Sequence, residues 1–122
     1  MQVQTVIPQL RITNVQLSLE FYVKGLGFEV DWQHQFESDF PLFMQLSRSG
    51  QTIFLTEHAE DCQVGGAVYF LVPDVDRCFA EFSARGVLIL ESPMNTSWGT
   101  REMLTKDPDG NTLRFASELV FV

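Results

Sequence analysis

Two stretches of the chain recur sixty residues later, and this internal repeat limits the possible fold more than any other feature. Residues 49–55 read SGQTIFL, and residues 109–115 read DGNTLRF. At the same offset, ITNV at residues 12–15 corresponds to VPDV at residues 72–75, and each tetrapeptide opens an amphipathic segment. Two segments that agree at one offset indicate two copies of one supersecondary unit. At 122 residues, the two copies fit within a single domain.

In the first half, apolar periodicity predicts a strand, a helix and three further strands. The first strand, at residues 6–12, contains Pro8, which restricts it to a sheet edge or a bend. Asn14 is a candidate N-cap for a helix that ends near Gly25 and Gly27. The remaining strands are predicted at residues 28–33, 42–47 and 52–56, the last two forming a hairpin.

The second half repeats this order. A strand at residues 67–72 precedes a helix that Asp74 caps and that stops near Gly86. Strands are predicted at residues 87–91, 101–105 and 112–116, with a loop at residues 93–99. One unit therefore spans about residues 5–57, a linker about 58–65, and the second unit about 66–117. Each four-stranded sheet would have one face covered by its helix, and the uncovered faces of two curved sheets would enclose a cleft.

The formal net charge of −8 makes nucleic acid and anionic membrane surfaces unfavourable partners, and it suits a cationic small molecule. The chain has no run of about eighteen apolar residues, which a membrane-spanning helix would need. The first residues lack the basic start and apolar stretch of a secretory signal. Cys62 and Cys78 have no CxxC spacing, so we expect two reduced thiols in a cytoplasmic protein.

Three motifs carry a resemblance to a known family. They are SLEFY at residues 18–22, GLGF at 25–28 and DPDGN at 107–111. Together with the repeat, they resemble the vicinal-oxygen-chelate superfamily, which contains glyoxalase I, extradiol dioxygenases, fosfomycin-resistance enzymes and bleomycin-resistance proteins. The resemblance covers nearly the whole chain and implies an α+β fold of two βαβββ repeats, usually in a homodimer. It does not define the chemistry, because one fold hosts many functions.

Enzymes of this superfamily hold a divalent metal with side chains from four strands, usually His or Glu. The resemblance carries these positions over to Ile7, Phe54, Ala67 and Arg114, none of which can bind a metal. The only histidines, His34 and His58, lie in polar surroundings and are expected at the surface. No nucleophile elbow, Walker loop or dinucleotide motif is present. We therefore expect no metal, no cofactor and no catalytic residue.

One branch of the superfamily, the bleomycin-resistance proteins, lacks the metal and holds the drug without changing it. VIPQL at residues 6–10 is similar to the first strand of that branch, which crosses to the partner subunit. SWG at residues 97–99 is similar to its late tryptophan-glycine loop, although Thr100 is an extra residue here. The resemblance implies an intertwined homodimer with a swapped first strand.

Bleomycin carries a flat bithiazole, which aromatic rings can stack on, and a cationic tail, which acidic or aromatic groups favour. The resemblance implies a cleft lined by a mainly aromatic set with a few polar members. These residues are Asp31, Trp32, Phe43, Phe54, Thr56, Tyr69, Trp98, Glu102 and Arg114. Arg114 would be unfavourable in a cleft for a cation unless it pairs with a nearby carboxylate such as Glu102. Phe43 and Tyr69 could equally be core or dimer contacts.

The function predicted from the sequence is a metal-free homodimeric protein that confers antibiotic resistance by sequestering bleomycin-type drugs in aromatic clefts at the dimer interface. Two alternatives stay open. One is a lyase or dioxygenase of the same superfamily with an atypical metal site. The other is a binder of a different cationic aromatic molecule.

Overall fold

The computed structural model describes residues 4–119, which form two four-stranded sheets with one helical segment each. The first unit comprises β1 (Gln9–Arg11), α1 (Val15–Leu19), a π-helical segment (Glu20–Gly25), β2 (Glu29–His34), β3 (Phe43–Arg48) and β4 (Gln51–Thr56). The second comprises β5 (Ala67–Leu71), α2 (Val75–Ala84), β6 (Ile89–Asn95), β7 (Thr100–Lys106) and β8 (Thr112–Glu118). The predicted α+β architecture and element order are confirmed.

The two sheets have the same topology, β1-β4-β3-β2 and β5-β8-β7-β6. In each, the first strand pairs in parallel with the last, and the other pairs are antiparallel. β1 pairs with β4 of its own chain, so the exchange of this strand between subunits stays a prediction. No helix within residues 4–119 is long and apolar enough to cross a membrane.

Both predicted helix caps are present. The Asn14 side chain accepts a hydrogen bond from the Leu17 amide, and the Asp74 side chain accepts one from the Arg77 amide. The first helix departs from the prediction because it widens into π geometry after Leu19. An i to i+5 hydrogen bond from the Leu26 amide to the carbonyl of Phe21, 2.9 Å long, belongs to this widening.

Two strand boundaries predicted from the sequence are wrong. β1 begins only at Gln9, and Pro8 lies just before it, where its carbonyl accepts the Phe54 amide at 2.9 Å. β6 continues to Asn95, into the segment predicted as a loop. It can contain Pro93 because it is an edge strand with irregular pairing between Glu91 and Met94, so the missing amide hydrogen removes no ladder bond.

The turn of the second hairpin is longer than that of the first, and this difference determines which residues of the two units occupy equivalent positions. Ser49 and Gly50 make a two-residue turn with φ of 50° and 80°, whereas residues 107–111 form the longer turn of the second unit. Met44 pairs with Leu55, and Met103 pairs with Phe115. β3 therefore corresponds to β7 at an offset of 59, while β4 corresponds to β8 at 60.

One apolar core spans both units. The ring of Phe28 in the first unit contacts that of Phe70 in β5, with centroids 6.0 Å apart, and Phe70 stacks on Phe115 at 4.7 Å. Arg48, at the end of β3, pairs with Glu81 of α2 at 3.2 Å and lies over the Phe82 ring. The Phe28–Phe70 contact and the contacts of Arg48 cross between the units, so each half is stabilised by the other.

The DPDGN turn joins the units through a buried polar network. Asp107 accepts hydrogen bonds from the Tyr22 hydroxyl at 2.7 Å and from the Asn111 side-chain amide at 2.8 Å. Asn111 also donates to the carbonyl of Arg11 at 2.9 Å and accepts the Gly66 amide at 2.8 Å. Burial, followed by the negative charge of Asp107, raises the pKa of Tyr22, so its hydroxyl stays a donor. The motif that supported the family resemblance is thus structural in this chain.

Candidate ligand-binding faces

Each sheet has one face against the core and one open face. Along β3, Met44 and Leu46 are fully buried, whereas the alternating residues Phe43 and Gln45 are only half-buried. Successive strand residues point to opposite sides of a sheet, so Phe43 and Gln45 belong to the open face. The same alternation in β8 buries Leu113 and Phe115 and leaves Arg114 half-buried on the open face. The predicted site residues are therefore considered on these two faces.

The open face of the first unit carries an aromatic cluster of Trp32, Phe43 and Phe54. Trp32 and Phe43 are stacked, with centroids 5.8 Å apart and an interplanar angle of 19°. Phe54 contacts Phe43 at 5.0 Å and Trp32 at 5.9 Å. Trp32 is 43% exposed, so one side of this ring cluster is available to a further flat group. The structure brings these three predicted residues together.

A β-bulge places both Asp31 and Trp32 on this face. Val30 pairs with Leu46 and Trp32 pairs with Gln45, which leaves Asp31 as the extra residue. Asp31 accepts hydrogen bonds from Gln45 at 2.9 Å and from Ser47 at 2.8 Å, and both donors project from the open face. Strict alternation would have sent Asp31 and Trp32 to opposite faces. The sequence carried no signal for this bulge.

Thr56 is not available to a ligand. It pairs with Phe43 across the ladder, so it lies in an open-face position, yet it is completely buried. Its hydroxyl donates to Asp61 at 2.7 Å and accepts the His58 amide at 3.0 Å, both from the segment that follows β4. This segment covers Thr56, and the side chain holds it in place.

On the open face of the second unit, four donors surround the carboxylate of Glu102. The Tyr69 hydroxyl, the Trp98 ring nitrogen at 3.3 Å and the Thr100 hydroxyl at 2.7 Å all donate to Oε2. Arg114 donates to Oε1 at 3.3 Å, so the condition that the sequence set for an arginine in this place is met. Trp98 is 71% exposed beside this buried carboxylate. The structure therefore joins the four remaining predicted residues, Tyr69, Trp98, Glu102 and Arg114, in one network.

The network fixes the protonation of its members. Burial acts to raise the pKa of Glu102, but the hydrogen bonds from Tyr69, Thr100 and Trp98 and the charge of Arg114 outweigh it, so the pKa is lowered. The hydrogen bond to Glu102 and partial burial raise the pKa of Tyr69. Glu102 is consequently an anion and Tyr69 a neutral phenol at neutral pH. Neither has the near-neutral pKa that suits a general acid or base.

This arrangement predicts a pH dependence of stability. A carboxyl with a lowered folded-state pKa stabilises the fold above its unfolded pKa of about 4.3, and this contribution disappears as pH falls through the folded value. We expect Glu102→Gln to be less stable than the wild type at pH 7, and the difference to shrink as the pH falls from about 5 to about 3. Urea unfolding at several pH values measures it. A difference that stays constant over this range would contradict the assignment.

The pairing register shows that the two faces are equivalent in position and opposite in chemistry. Phe54 pairs with Gln9 as Arg114 pairs with Tyr69, so Phe54 and Arg114 correspond. At the offset of β3 and β7, Phe43 corresponds to Glu102. By the same offset, Trp32, which pairs with Gln45, corresponds to Glu91, which pairs with Leu104. Three aromatic rings in one unit thus occupy the places of two carboxylates and one guanidinium in the other.

A groove of about 390 Å³, here called the seam, runs between β5 and the segment just before β1, and its lining includes Val6, Pro8, Tyr69 and Leu71. Within residues 4–119, the ring contacts of the aromatic cluster and the hydrogen bonds of the Glu102 network have no member in common. The single cleft predicted from the sequence is therefore represented by two separate halves in the described chain.

The four metal positions that the resemblance implied carry no side chain that binds a divalent metal. Ile7 precedes β1, Ala67 begins β5, and Phe54 and Arg114 lie centrally on β4 and β8. Among the described residues, no group of three or more His, Cys, Asp or Glu side chains is arranged to hold a metal ion. The carboxylates of Asp31 and Glu102 on the open faces already accept hydrogen bonds from protein side chains. These residues do not fit a divalent metal.

Comparisons with known proteins agree with the fold. A family model described as Glyoxalase superfamily protein matches residues 1–120. TioX from Micromonospora sp. ML1 is 19% identical, with 98% of this chain and 99% of that chain covered and a TM-score of 0.74. TnmS3, an antibiotic binding protein from Streptomyces sp. CB03234, is 22% identical, with 97% and 99% covered and a TM-score of 0.71. The search of curated proteins gave no match.

A further structure is a member of the glyoxalase/bleomycin resistance protein/dioxygenase superfamily from Sphaerobacter thermophilus DSM 20745. The two sequences are 22% identical, the match covers 94% of this chain and 98% of that chain, and the TM-score is 0.72. At these identities the likeness shows the fold, and the side chains of the open faces must indicate what is bound.

Proposed function

Since this chain belongs to the glyoxalase superfamily, we propose that it is a metal-free binding protein that sequesters bleomycin-type drugs without changing them. The observation that carries this proposal is the chemical division between the open faces. One presents the rings of Trp32, Phe43 and Phe54, and the other presents the carboxylate network of Glu102. A ligand with a flat end and a cationic end complements both.

The aromatic face suits a flat heteroaromatic group. Stacking on a ring contributes on the order of 1 kcal/mol beyond the burial of apolar area, and the exposed side of Trp32 can accept such a group. Trp98 offers a second exposed ring beside the acidic network. Because its ring nitrogen already donates to Glu102, the indole is held in orientation before a ligand arrives.

Absence of turnover is part of the proposal. Catalysis in this superfamily uses a divalent metal, and the four positions implied for it carry Ile7, Phe54, Ala67 and Arg114. The Glu102 and Tyr69 pair is held in protonation states that do not exchange protons near neutral pH. Holding a ligand without reacting with it is the function that remains for such a surface.

We place the complete site in a homodimer, where the aromatic face of one subunit meets the acidic face of its partner. Exposed apolar side chains along the seam support this, since Tyr69 and Leu71 of β5 are 49% and 59% exposed, and Val6 is 79% exposed. Two such clefts would give two ligands per dimer. Light scattering measures the mass, and a monomer at micromolar concentration would contradict the shared cleft.

The deciding experiment is a calorimetric titration of the purified protein with metal-free bleomycin, followed by mass spectrometry of the recovered drug. We expect heat on binding, quenching of tryptophan fluorescence and an unmodified drug. Elemental analysis of the protein should show no stoichiometric divalent metal. Conversion of the drug, or one metal ion per cleft, would favour a superfamily lyase or dioxygenase instead. If another flat cation bound and bleomycin did not, the protein would still be a small-molecule binder, but bleomycin would not be its ligand.

A further inference from the structure

We infer that Glu91 is the residue that selects a cationic ligand, an inference that rests on the proposed binding function. Three carboxylates lie among the candidate binding side chains, those of Asp31, Glu91 and Glu102. Asp31 accepts two side-chain hydrogen bonds, and Glu102 accepts four. The Glu91 side chain is 62% exposed, and it forms a distant ion pair with Arg114 at 4.0 Å. Its carboxylate is therefore free to accept donors from a ligand.

The position of Glu91 on the open face follows from the pairing. It pairs with Leu104 of β7, which pairs in turn with Arg114 of β8, and the Glu91 carboxylate reaches toward the Arg114 guanidinium. A register shift before and after Glu91 makes this possible, as the bulge at Asp31 does in the first unit. Glu91 occupies the place that Trp32 has in the aromatic cluster.

The local charge balance points to a cation. The two carboxylates of Glu91 and Glu102 share one guanidinium, that of Arg114, so this group of three side chains carries one negative charge in excess. Arg114 lies closer to Glu102, at 3.3 Å, and its charge chiefly compensates that buried carboxylate. The excess charge therefore belongs to Glu91. An ammonium, amidinium or sulfonium group of the ligand would be attracted there, beside an exposed indole.

A matched pair of variants tests this inference. Glu91→Gln and Glu20→Gln remove the same charge from exposed glutamates, the second in the π-helical segment, outside the strands that carry the Glu102 network. Calorimetric titrations use metal-free bleomycin and an uncharged bithiazole at about 0.02 and about 0.15 M salt. We expect Glu91→Gln to weaken bleomycin about fivefold at low salt and less at high salt. The bithiazole affinity of both variants, and the bleomycin affinity of Glu20→Gln, should stay within about twofold of the wild type.

The outcomes separate this inference from the proposed function. Equal losses in the two variants would show a general effect of net charge and would overturn the role of Glu91. Bleomycin binding that is unchanged in Glu91→Gln would also overturn it, while the proposed function would stand. Failure of the wild type to bind either probe would reject the proposed function, and the inference with it.

Discussion

Asp107→Ala should lower the free energy of unfolding by about 3 kcal/mol, the largest effect that we expect from a single substitution here. The Asp107 carboxylate accepts hydrogen bonds from Tyr22, from the Asn111 side chain, and from the backbone amides of Asp109 and Asn111. Alanine would leave these donors without an acceptor in a buried place, and each unsatisfied group carries a desolvation penalty. Urea or guanidinium unfolding measures the change.

Two further variants distinguish loss of the Asp107 hydrogen-bond network from a general effect of removing a carboxylate. Tyr22→Phe removes one donor of the same network and should cost about 1 kcal/mol. Asp39→Ala, in the exposed segment between β2 and β3, removes the same carboxylate group and should change stability by no more than about 0.5 kcal/mol. If Asp107→Ala resembled Asp39→Ala, the DPDGN turn would not hold the two units together.

Trp32→Ala should weaken bleomycin binding about 30-fold if the proposed function is correct, with little change in the folded state. The indole is a central member of the aromatic cluster and is 43% exposed, so its loss removes both a stacking surface and apolar contact area. Trp32→Phe keeps a ring in place and should weaken binding only about threefold. Calorimetric titration of each variant provides the measurement.

Phe36→Ala is the matched control for this prediction. Phe36 is 72% exposed and contacts Phe40, but it lies outside the cluster of Trp32, Phe43 and Phe54. Its removal should leave the dissociation constant within about twofold of the wild type. Equal losses for Trp32→Ala and Phe36→Ala would indicate nonspecific association with exposed rings, and the aromatic face would not be the binding surface.

The order of elements could be predicted from the sequence because it depends on local sequence patterns. Apolar periodicity and the caps at Asn14 and Asp74 depend on a few neighbouring residues, and all of these predictions are confirmed. The repeat gave the fold class for the same reason. The transition of the first helix to π geometry and the extension of β6 past Pro93 depend on distant partners, so no local pattern indicated them.

The candidate site was predicted less completely, because its geometry depends on strand register and loop placement. The grouping of Trp32, Phe43 and Phe54 and the pairing of Arg114 with Glu102 were anticipated. The covering of Thr56 was not, since it depends on how the segment after β4 folds back. Glu91 is not predicted from the sequence, because the repeated motifs share an offset of sixty. Its match to Trp32 follows the offset of 59 between β3 and β7, and the unequal lengths of the two hairpins are the only sign of that offset in the sequence.

The aromatic side chains of one open face correspond in position to charged side chains of the other, and this affects how a bound molecule is oriented. The pairs are Trp32 with Glu91, Phe43 with Glu102, and Phe54 with Arg114. Two identical repeats would present identical faces, and an elongated molecule could then bind in either of two orientations. In this chain the repeats differ at these places, since Phe43 corresponds to Glu102 and Phe54 to Arg114. Under the proposed function, a guest with unlike ends is therefore expected to bind in one direction only, because the two repeats of one chain present unlike faces.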